Sequence, residues 1–234
     1  MKPFVFKKFT VQQSDEVFRV GTDAVLLGAL CNCSNISRGL EVGCGTGIIS
    51  LMVAQRNPNA TLVAIDINKT AAELSFTNFQ QSVFAERLRA VHADFKNFIA
   101  EDKFDFIVCN PPYFEENSST KDVIARQKTV LDFHDLAQYA KSHLKSDGLF
   151  SVIIPSEAVI EFTERCTENS LFLRRRVDIF GIKNGPVKRV LLEFSDRKSE
   201  VLHEKFVVEE SARKYSLQYL AATRDFHVFG KSVK

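Results

Sequence analysis

From residue 38 onward, short apolar runs alternate with stretches of helical periodicity, and no other feature constrains the fold of this chain as strongly. "GLEVG" (39–43) reads as a buried strand and "GIISLMVAQRN" as the helix behind it. "ATLVAID" (60–66) reads as a second strand, "NKTAAELSFTNFQQS" as a helix, and "RLRAVHAD" (87–94) and "KFDFIVCN" (103–110) as a third and fourth strand. "HDLAQYAKSHLKSDG" (134–148) has helical spacing that stops at Gly148, and "LFSVIIP" (149–155) is a fifth strand. Apolar strands alternating with helices predict βαβ units around a parallel sheet. The rhythm then changes: "LFLRRRVDIFG" (171–181) and "KRVLLEF" (188–194) are both strand-like and close together. A connection that short permits only an antiparallel pairing. The expectation is therefore an α/β, Rossmann-like fold, with a seven-stranded, mostly parallel sheet ending in one antiparallel strand.

At 234 residues the chain fits one structural domain, since roughly 100–200 residues per domain is usual. Within it we expect an N-terminal extension (1–37) contributing to the ligand site, a core (38–195), and a C-terminal tail (196–234) packed on that core. No apolar run approaches the roughly 18 residues of a membrane span. "MKPFVFKKFTVQQ" lacks the apolar stretch and cleavage site of a secretory signal, so a cytoplasmic protein is expected, and a monomer. The five cysteines are odd in number and irregular in spacing, which argues against a disulfide framework. Cys31 and Cys33 lack a second pair with zinc-like spacing, so no metal is expected. Most of the 21 phenylalanines must belong to the core. Net charge is only +2, but from Arg174 to the C-terminus 14 Lys/Arg face 8 Asp/Glu. That basic portion suits a polyanion or an ordinary solvated surface.

"LEVGCGTGIIS" places Gly43, Gly45 and Gly47 between a strand and a helix. There the backbone must turn tightly and approach a ligand without Cβ atoms in the way. The next strand ends in an acid, Asp66, positioned to accept hydrogen bonds from both ribose hydroxyls. The third glycine follows the second by two residues, not three, which departs from the dinucleotide fingerprint. Glu41, two residues before the first glycine, is awkward beside a pyrophosphate. A cationic, phosphate-free cofactor suits it, and S-adenosyl-L-methionine has that chemistry: adenosine, an ammonium and a sulfonium. Asp94, ending "VHADF", is placed to meet the adenine amine or else to cap a following helix. Ile67 and Phe95, which follow Asp66 and Asp94, complete the expected cofactor contacts, together with Asn110.

"CNPPYF" (109–114) ends the fourth strand, at the sheet edge where ligands bind in such folds. Pro111 and Pro112 have fixed φ and no N–H, and each restricts the residue before it. Asn110 and the carbonyl of Pro111 are thus two acceptors in one stiff geometry. Two such acceptors can hold the hydrogens of a planar –NH2 group and aim its nitrogen at a methyl. Orientation of this kind contributes roughly 7–11 kcal/mol. Tyr113 offers a flat face for an extruded base. Asn110, Pro111, Pro112 and Tyr113 are the expected catalytic group.

The pairing of "EVGCGTG" with "NPPYF" resembles class I methyltransferases acting on a planar exocyclic amine. "FVFKKFTV", "VGTDAVLLGAL" and "YSLQYLAATRDF" narrow the resemblance to the bacterial tRNA(Val) adenine-N6-methyltransferase family. It runs through nearly the whole chain, and NPPY alone is shared with DNA, rRNA and protein-glutamine methyltransferases. The resemblance implies N6-methylation of the adenosine 3′ of the anticodon, with tRNA as partner and S-adenosyl-L-methionine as cofactor. It also implies that "GTD" (21–23) closes over the methionine part, making Thr22 and Asp23 cofactor neighbours. A helix N-cap is the other reading of that segment. Glu41 stands where Asp is commoner in the family, and "DFHVFG" lacks the usual Tyr after Phe.

For an RNA substrate, Lys7 and Lys8, the run Arg174–Arg176, and Lys188 with Arg189 are candidate phosphate contacts. Release-factor-type glutamine methyltransferases carry an N-terminal helical domain, whereas only about 38 residues precede "GLEVG". No segment is long enough for a separate DNA target-recognition domain. A catalytically silent cofactor-binding module would have no need to keep the intact NPPY.

Overall fold

The computed structural model describes residues 1–112 and 132–228. A short hairpin, β1 (Phe4–Val5) and β2 (Thr10–Val11), precedes helix α1 (Thr22–Leu30). Then follow β3 (Arg38–Val42), α2 (Ile48–Arg56), β4 (Thr61–Asp66), α3 (Lys69–Gln80), β5 (Leu88–His92) and β6 (Phe104–Cys109). The second half contains α4 (Phe133–His143), β7 (Leu144–Pro155), α5 (Val159–Glu168), β8 (Phe172–Ile182) and β9 (Val187–Ser195). It closes with β10 (Leu202–Ser211), β11 (Lys214–Tyr215) and α6 (Leu217–Thr223). Side chains cap several helices in the expected way: Asn68 accepts from Thr70 and Ala71, Asp132 from His134 and Asp135, and Ser216 from Tyr219.

The sheet order is β11-β10-β8-β9-β7-β6-β3-β4-β5. From β5 to β7 every pairing is parallel, and β9 runs antiparallel to both β7 and β8. The α/β, mostly parallel architecture is as expected, with two corrections. The antiparallel strand lies inside the sheet, because β9 inserts between β7 and β8. The described residues also contribute two further strands, for β10 pairs parallel to β8 and β11 antiparallel to β10. The β10 sequence, "LHEKFVVEES", has only a three-residue apolar run among polar and charged residues on a half-exposed strand, a pattern weaker than the continuous apolar runs of the centre.

Both faces of the sheet are covered. On one side Leu26, Leu27, Met52 and Phe79 from the helices meet Phe106, Val108 and Ile153 from the strands. On the other, Leu136, Tyr139 and Phe162 meet Leu40, Phe150, Val152 and Phe194. All five cysteines are buried and unpaired.

Helix α4 stops at His143, not at Gly148. Leu144 is already extended, at φ −76° and ψ 141°, and pairs with Phe104 at the start of β7. The register then shifts before Leu149 pairs with Phe106, and Asp147 takes up the extra length at φ 64°. Gly148 serves close approach here, since a Cβ would lie 3.2 Å from the Asp105 carbonyl oxygen and 2.9 Å from Leu144 Cδ2.

Candidate active site

The chain runs from β3 outward through β4 and β5, then returns to place β6 and β7 on the other flank of β3. Ligands of open α/β sheets bind at this reversal, outside the carboxyl ends of the strands. Val42 and Cys109 are paired across β3 and β6, so the residues that follow them, Gly43 and Asn110, emerge side by side. The two motifs singled out in the sequence therefore share one crevice.

Gly43, Gly45 and Gly47 all adopt the left-handed region, at φ 72°, 54° and 76°, where a side chain is strained. A Cβ on Gly43 or Gly45 would meet nothing within 4 Å, whereas one on Gly47 would lie 2.5 Å from Phe79 Cε1. The loop thus has an open side at its first two glycines and a packed side at the third. Gly43 and Cys44 donate to the Ile65 carbonyl at 2.9 and 3.0 Å. The Ser75 hydroxyl donates to the Gly45 carbonyl at 2.9 Å.

Asp66 accepts from the Gly45 N–H and the Asn68 N–H, each at 2.9 Å, one on each carboxylate oxygen. It is half-buried, and each oxygen keeps a lone pair for a ligand. Burial pushes its carboxyl above the ordinary range, opposed by those two N–H groups and by His92. Ile67 beside it is exposed, and its carbonyl meets His92 Nε2 at 3.1 Å.

Glu41 is only 1% exposed. One oxygen accepts from the Ser50 N–H at 3.0 Å and from the Ser50 hydroxyl, so this carboxyl tethers the first turn of α2. The other oxygen, Oε1, has no hydrogen-bond partner among the described residues. Burial pushes the group up to about 8. A buried polar atom left unpaired is costly, and a ligand cation nearby would return this carboxyl to its ionised form. Open space over two glycines, an orphaned carboxyl oxygen and a half-buried Asp66 fit a cofactor with a positive charge and a ribose.

Asp94 and Phe95 follow β5. Asp94 Oδ1 accepts from the Lys96 N–H at 3.0 Å and its carbonyl from Asn97 at 3.0 Å. The acid therefore caps a turn, and the helix of the alternative reading is absent among the described residues. Phe95 packs edge-on against Tyr139, with centroids 5.6 Å apart. Beyond β6, Asn110 is half-buried, Pro111 buried and Pro112 exposed. Tyr113 and Phe114 lie outside the described residues.

Thr22 and Asp23 do not cap α1. The N-cap is Gly21, extended at φ −111° and ψ 163°, with no side-chain cap. Asp23 instead receives the Arg189 Nε–H at 2.8 Å. Arg189 is paired across the sheet with Pro155, the last residue of β7, so this ion pair also stands at the carboxyl edge. The other basic candidates separate. Arg174–Arg176 lies near the start of β8, toward the opposite edge, where Arg175 bonds to Glu193 and Glu204 and Arg176 to Asp178. Arg175 and Arg176 thus belong to a structural ion-pair network away from the crevice. Lys7 and Lys8 sit exposed on the β1–β2 turn, with the Lys7 ammonium on the Arg224 carbonyl.

Sequence reasoning passed over Asn78. This fully buried amide accepts from the Gln12 N–H at 2.7 Å and donates to the Gln12 and Thr46 carbonyls at 3.2 and 2.9 Å. It thereby ties the N-terminal segment to the glycine loop. Ser75 and Asn78 are polar residues three apart on the inner face of α3, and that interruption of an apolar face was the available signal. Among the described residues no group of three or more His, Cys, Asp or Glu is placed to hold a metal ion.

Known proteins share the sequence and the fold of this chain. Residues 10–163 match the methyltransferase small domain. The chain is 54% identical over 230 residues to the tRNA1(Val) (adenine(37)-N6)-methyltransferase of Flavobacteriaceae bacterium (strain 3519-10), covering 98% of this chain and all of that one. It is 34% identical to the protein of the same name from Bacteroides thetaiotaomicron, over 96% and 97% of the two chains. Its fold is similar to that of a predicted O-methyltransferase from Agrobacterium tumefaciens, with a TM-score of 0.70 at 19% identity over 87% and 96% of the chains. It is also similar to the N-methyltransferase NodS from Bradyrhizobium japonicum in complex with S-adenosyl-L-homocysteine, with a TM-score of 0.54 at 17% identity over 76% and 85%.

Proposed function

The chain belongs to the tRNA1(Val) (adenine(37)-N6)-methyltransferase family, and we propose that it methylates N6 of the adenosine 3′ of the anticodon in tRNA(Val), using S-adenosyl-L-methionine. The observation that carries this reading is the emergence of Gly43 and Asn110 side by side beyond the Val42–Cys109 pair. It brings a cofactor loop and a stiff pair of acceptors to one point. When bound, S-adenosyl-L-methionine supplies an activated methyl group on a sulfonium.

The residues of the chain do the positioning. Gly43 and Gly45 leave room for the cofactor, Asp66 holds its ribose, Asp94 its adenine, and Thr22 with Asp23 border its methionine end. Glu41 offers its free oxygen toward the positive end. Asn110 Oδ1 and the Pro111 carbonyl accept the two hydrogens of the adenine amine and orient the nitrogen lone pair for in-line attack. Pro111 and Pro112 keep those acceptors from relaxing, and Tyr113 stacks on the base. No side chain need remove a proton first, since the amine loses it after attack. Lys7, Lys8 and Lys188, all exposed, are the basic candidates for tRNA phosphates, while Arg189 holds Asp23. The reading includes a monomer in the cytoplasm, to be checked by sedimentation and by fractionation. Among the described residues no helix is long and apolar enough to cross a membrane.

The test is transfer of tritium from S-adenosyl-L-methionine to tRNA of a strain lacking this gene, with rRNA, DNA and release factor in parallel. Label recovered as N6-methyladenosine from one valine tRNA is the expected result. Label only in release factor would keep the amine chemistry and overturn the RNA substrate.

A further inference from the structure

Helix α1 is held at two places by different means. Its middle packs on α2, where a Cβ on Gly28 would lie 2.8 Å from Met52 Sδ. Leu26 and Leu27 are buried there with Phe106, Val108 and Ile153 of the sheet. Helix α2 itself leaves the glycine loop at Gly47, whose carbonyl accepts from the Leu51 N–H at 3.1 Å. The body of α1 is thus locked by close packing to the helix that carries the glycine loop. Its first turn is not packed in this way. Gly21 caps it without a side chain, Thr22 is exposed, and Asp23 is half-buried. What ties this turn to the sheet is the Arg189 Nε–H, which donates to Asp23 Oδ2 at 2.8 Å.

Strand register places that tie relative to the reaction. On β6, Phe106 and Val108 face α1 and α2, and on β9 Leu191 does so too. Side chains two apart share a face, so Asn110 and Arg189 both belong to this side. Cys109 pairs with Val152, and Leu191 with Ile153, so Leu191 stands in the row of Asn110. Arg189 lies two residues farther out and two strands across, about 7 Å outward and about 10 Å sideways. Glu41 is on the same face, for it bonds Ser50 of α2.

The carboxylate of Asp23 makes one hydrogen bond among the described residues, on Oδ2, so Oδ1 can accept from a ligand ammonium. Arg189 is an anchored cation: Nη1 donates to the Lys188 carbonyl at 3.2 Å, and the residue makes further contacts. Glu157 is exposed nearby. Its own N–H, the Ser156 hydroxyl and the charges of Arg189 and Lys188 hold its carboxyl below the ordinary range. A guanidinium so placed cannot receive a ligand ammonium itself, but it can fix the carboxylate that does.

We propose that Arg189 is a positioning residue for the cofactor: by holding Asp23 it keeps the first turn of α1 over the crevice, with the open carboxylate oxygen toward the ammonium of S-adenosyl-L-methionine. This inference rests on the cofactor reading, in which Thr22 and Asp23 border the methionine end. It adds a residue of β9 that acts through Asp23 and not on the cofactor directly.

The test is calorimetry with S-adenosyl-L-homocysteine and with 5′-methylthioadenosine, which has the adenosine but lacks the amino-acid end. In Arg189→Ala the Kd of S-adenosyl-L-homocysteine should rise about 5-fold or more, while that of 5′-methylthioadenosine stays within about 2-fold of the parent value. Arg189→Lys keeps a cation at this place and guards against a fold lost in Arg189→Ala. It should show the same selectivity in smaller degree. Because Arg189 acts through Asp23, adding Arg189→Ala to Asp23→Ala should weaken binding no further. Equal weakening of both ligands, an unchanged Kd of S-adenosyl-L-homocysteine in both Arg189 variants, or additive losses in the double variant would overturn the assignment while ligand binding by the parent stands. A parent protein that binds neither ligand would remove the cofactor reading and this inference with it.

Discussion

The two edges of the sheet hold similar ionisable side chains and treat them differently. Toward the amino edge the carboxylates Asp105 and Glu193 have their partners, although Arg38 Nε beside Asp105 is buried without one among the described residues. Asp105 accepts from the Ser37 and Arg38 N–H groups at 3.0 and 2.8 Å and from Lys145 at 2.8 Å. Burial alone would raise its carboxyl, but these donors hold it below the ordinary range. Glu193, 2% exposed, accepts from the Asn32 N–H, the Ser151 hydroxyl and Arg175. At the carboxyl edge, among the described residues, Glu41 keeps an oxygen without a hydrogen-bond partner and two glycines border open space. A satisfied network specifies structure, whereas a buried carboxyl oxygen left unsatisfied beside open space leaves room for a ligand to satisfy it. The contrast separates Arg175 and Arg176 from the candidate active site more cleanly than charge could.

Breaking the satisfied edge should produce the largest change in stability. Glu193→Ala leaves Arg175 without one of its carboxylates, and such a loss costs about 3–5 kcal/mol. Urea unfolding should show that fall, with the cofactor Kd of the folded protein unchanged. A weakened cofactor would mean that the two edges are not independent.

The glycine loop sharpens the comparison within a few residues. Gly47→Ala brings a Cβ against Phe79 at positive φ, which together should cost about 2–4 kcal/mol. Gly45→Ala carries only the backbone strain, about 1–2 kcal/mol, but fills the open side. Calorimetry should therefore find a cofactor Kd at least about tenfold weaker in Gly45→Ala, from lost close approach. Equal affinities in the parent and Gly45→Ala would place the cofactor elsewhere.

Glu41 gives a pH signature. Its carboxyl is raised from the ordinary 4.5 to about 8, so the ligand-free folded chain keeps a proton that the unfolded chain releases. Its contribution is fully present below pH 4.5 and is lost as pH rises toward 8, on the order of 1–3 kcal/mol. Glu41→Gln should flatten stability across that window and weaken the cofactor. A parent protein with no such slope would show that Glu41 is ionised without a ligand. Smallest of all, Lys7→Glu with Lys8→Glu should raise KM for tRNA by about 3- to 10-fold at low salt, with a shallower salt dependence. Measurement at two ionic strengths tests it, and an unchanged KM would exclude that turn from the interface.

The central strands and the glycine turn were legible in the sequence because doubly buried strands are continuous apolar runs and their ligand turns are rich in glycine. Asn110 and its prolines were legible for a similar reason, since their stiffness is covalent. What could not be read depends on partners distant in sequence. Arg175 and Arg189 look alike in a composition count, yet one answers to Glu193 and Glu204 and the other to Asp23, 166 positions away. The end of α4 was overrun because Leu144 and Gly148 keep helical spacing after the backbone has become extended. Asn78 was passed over because a polar residue on an apolar helix face becomes meaningful only when Gln12 and Thr46 are seen beside it.

The most direct measurement compares Asn110→Ala with the parent protein, by calorimetry for S-adenosyl-L-methionine and by single-turnover transfer to tRNA(Val). If Asn110 aligns the amine, transfer should fall on the order of 100-fold or more, with the cofactor Kd nearly unchanged. Transfer at the parent rate, or a loss of cofactor binding as large as the loss of transfer, would contradict the placement of the reaction between Gly43 and Asn110.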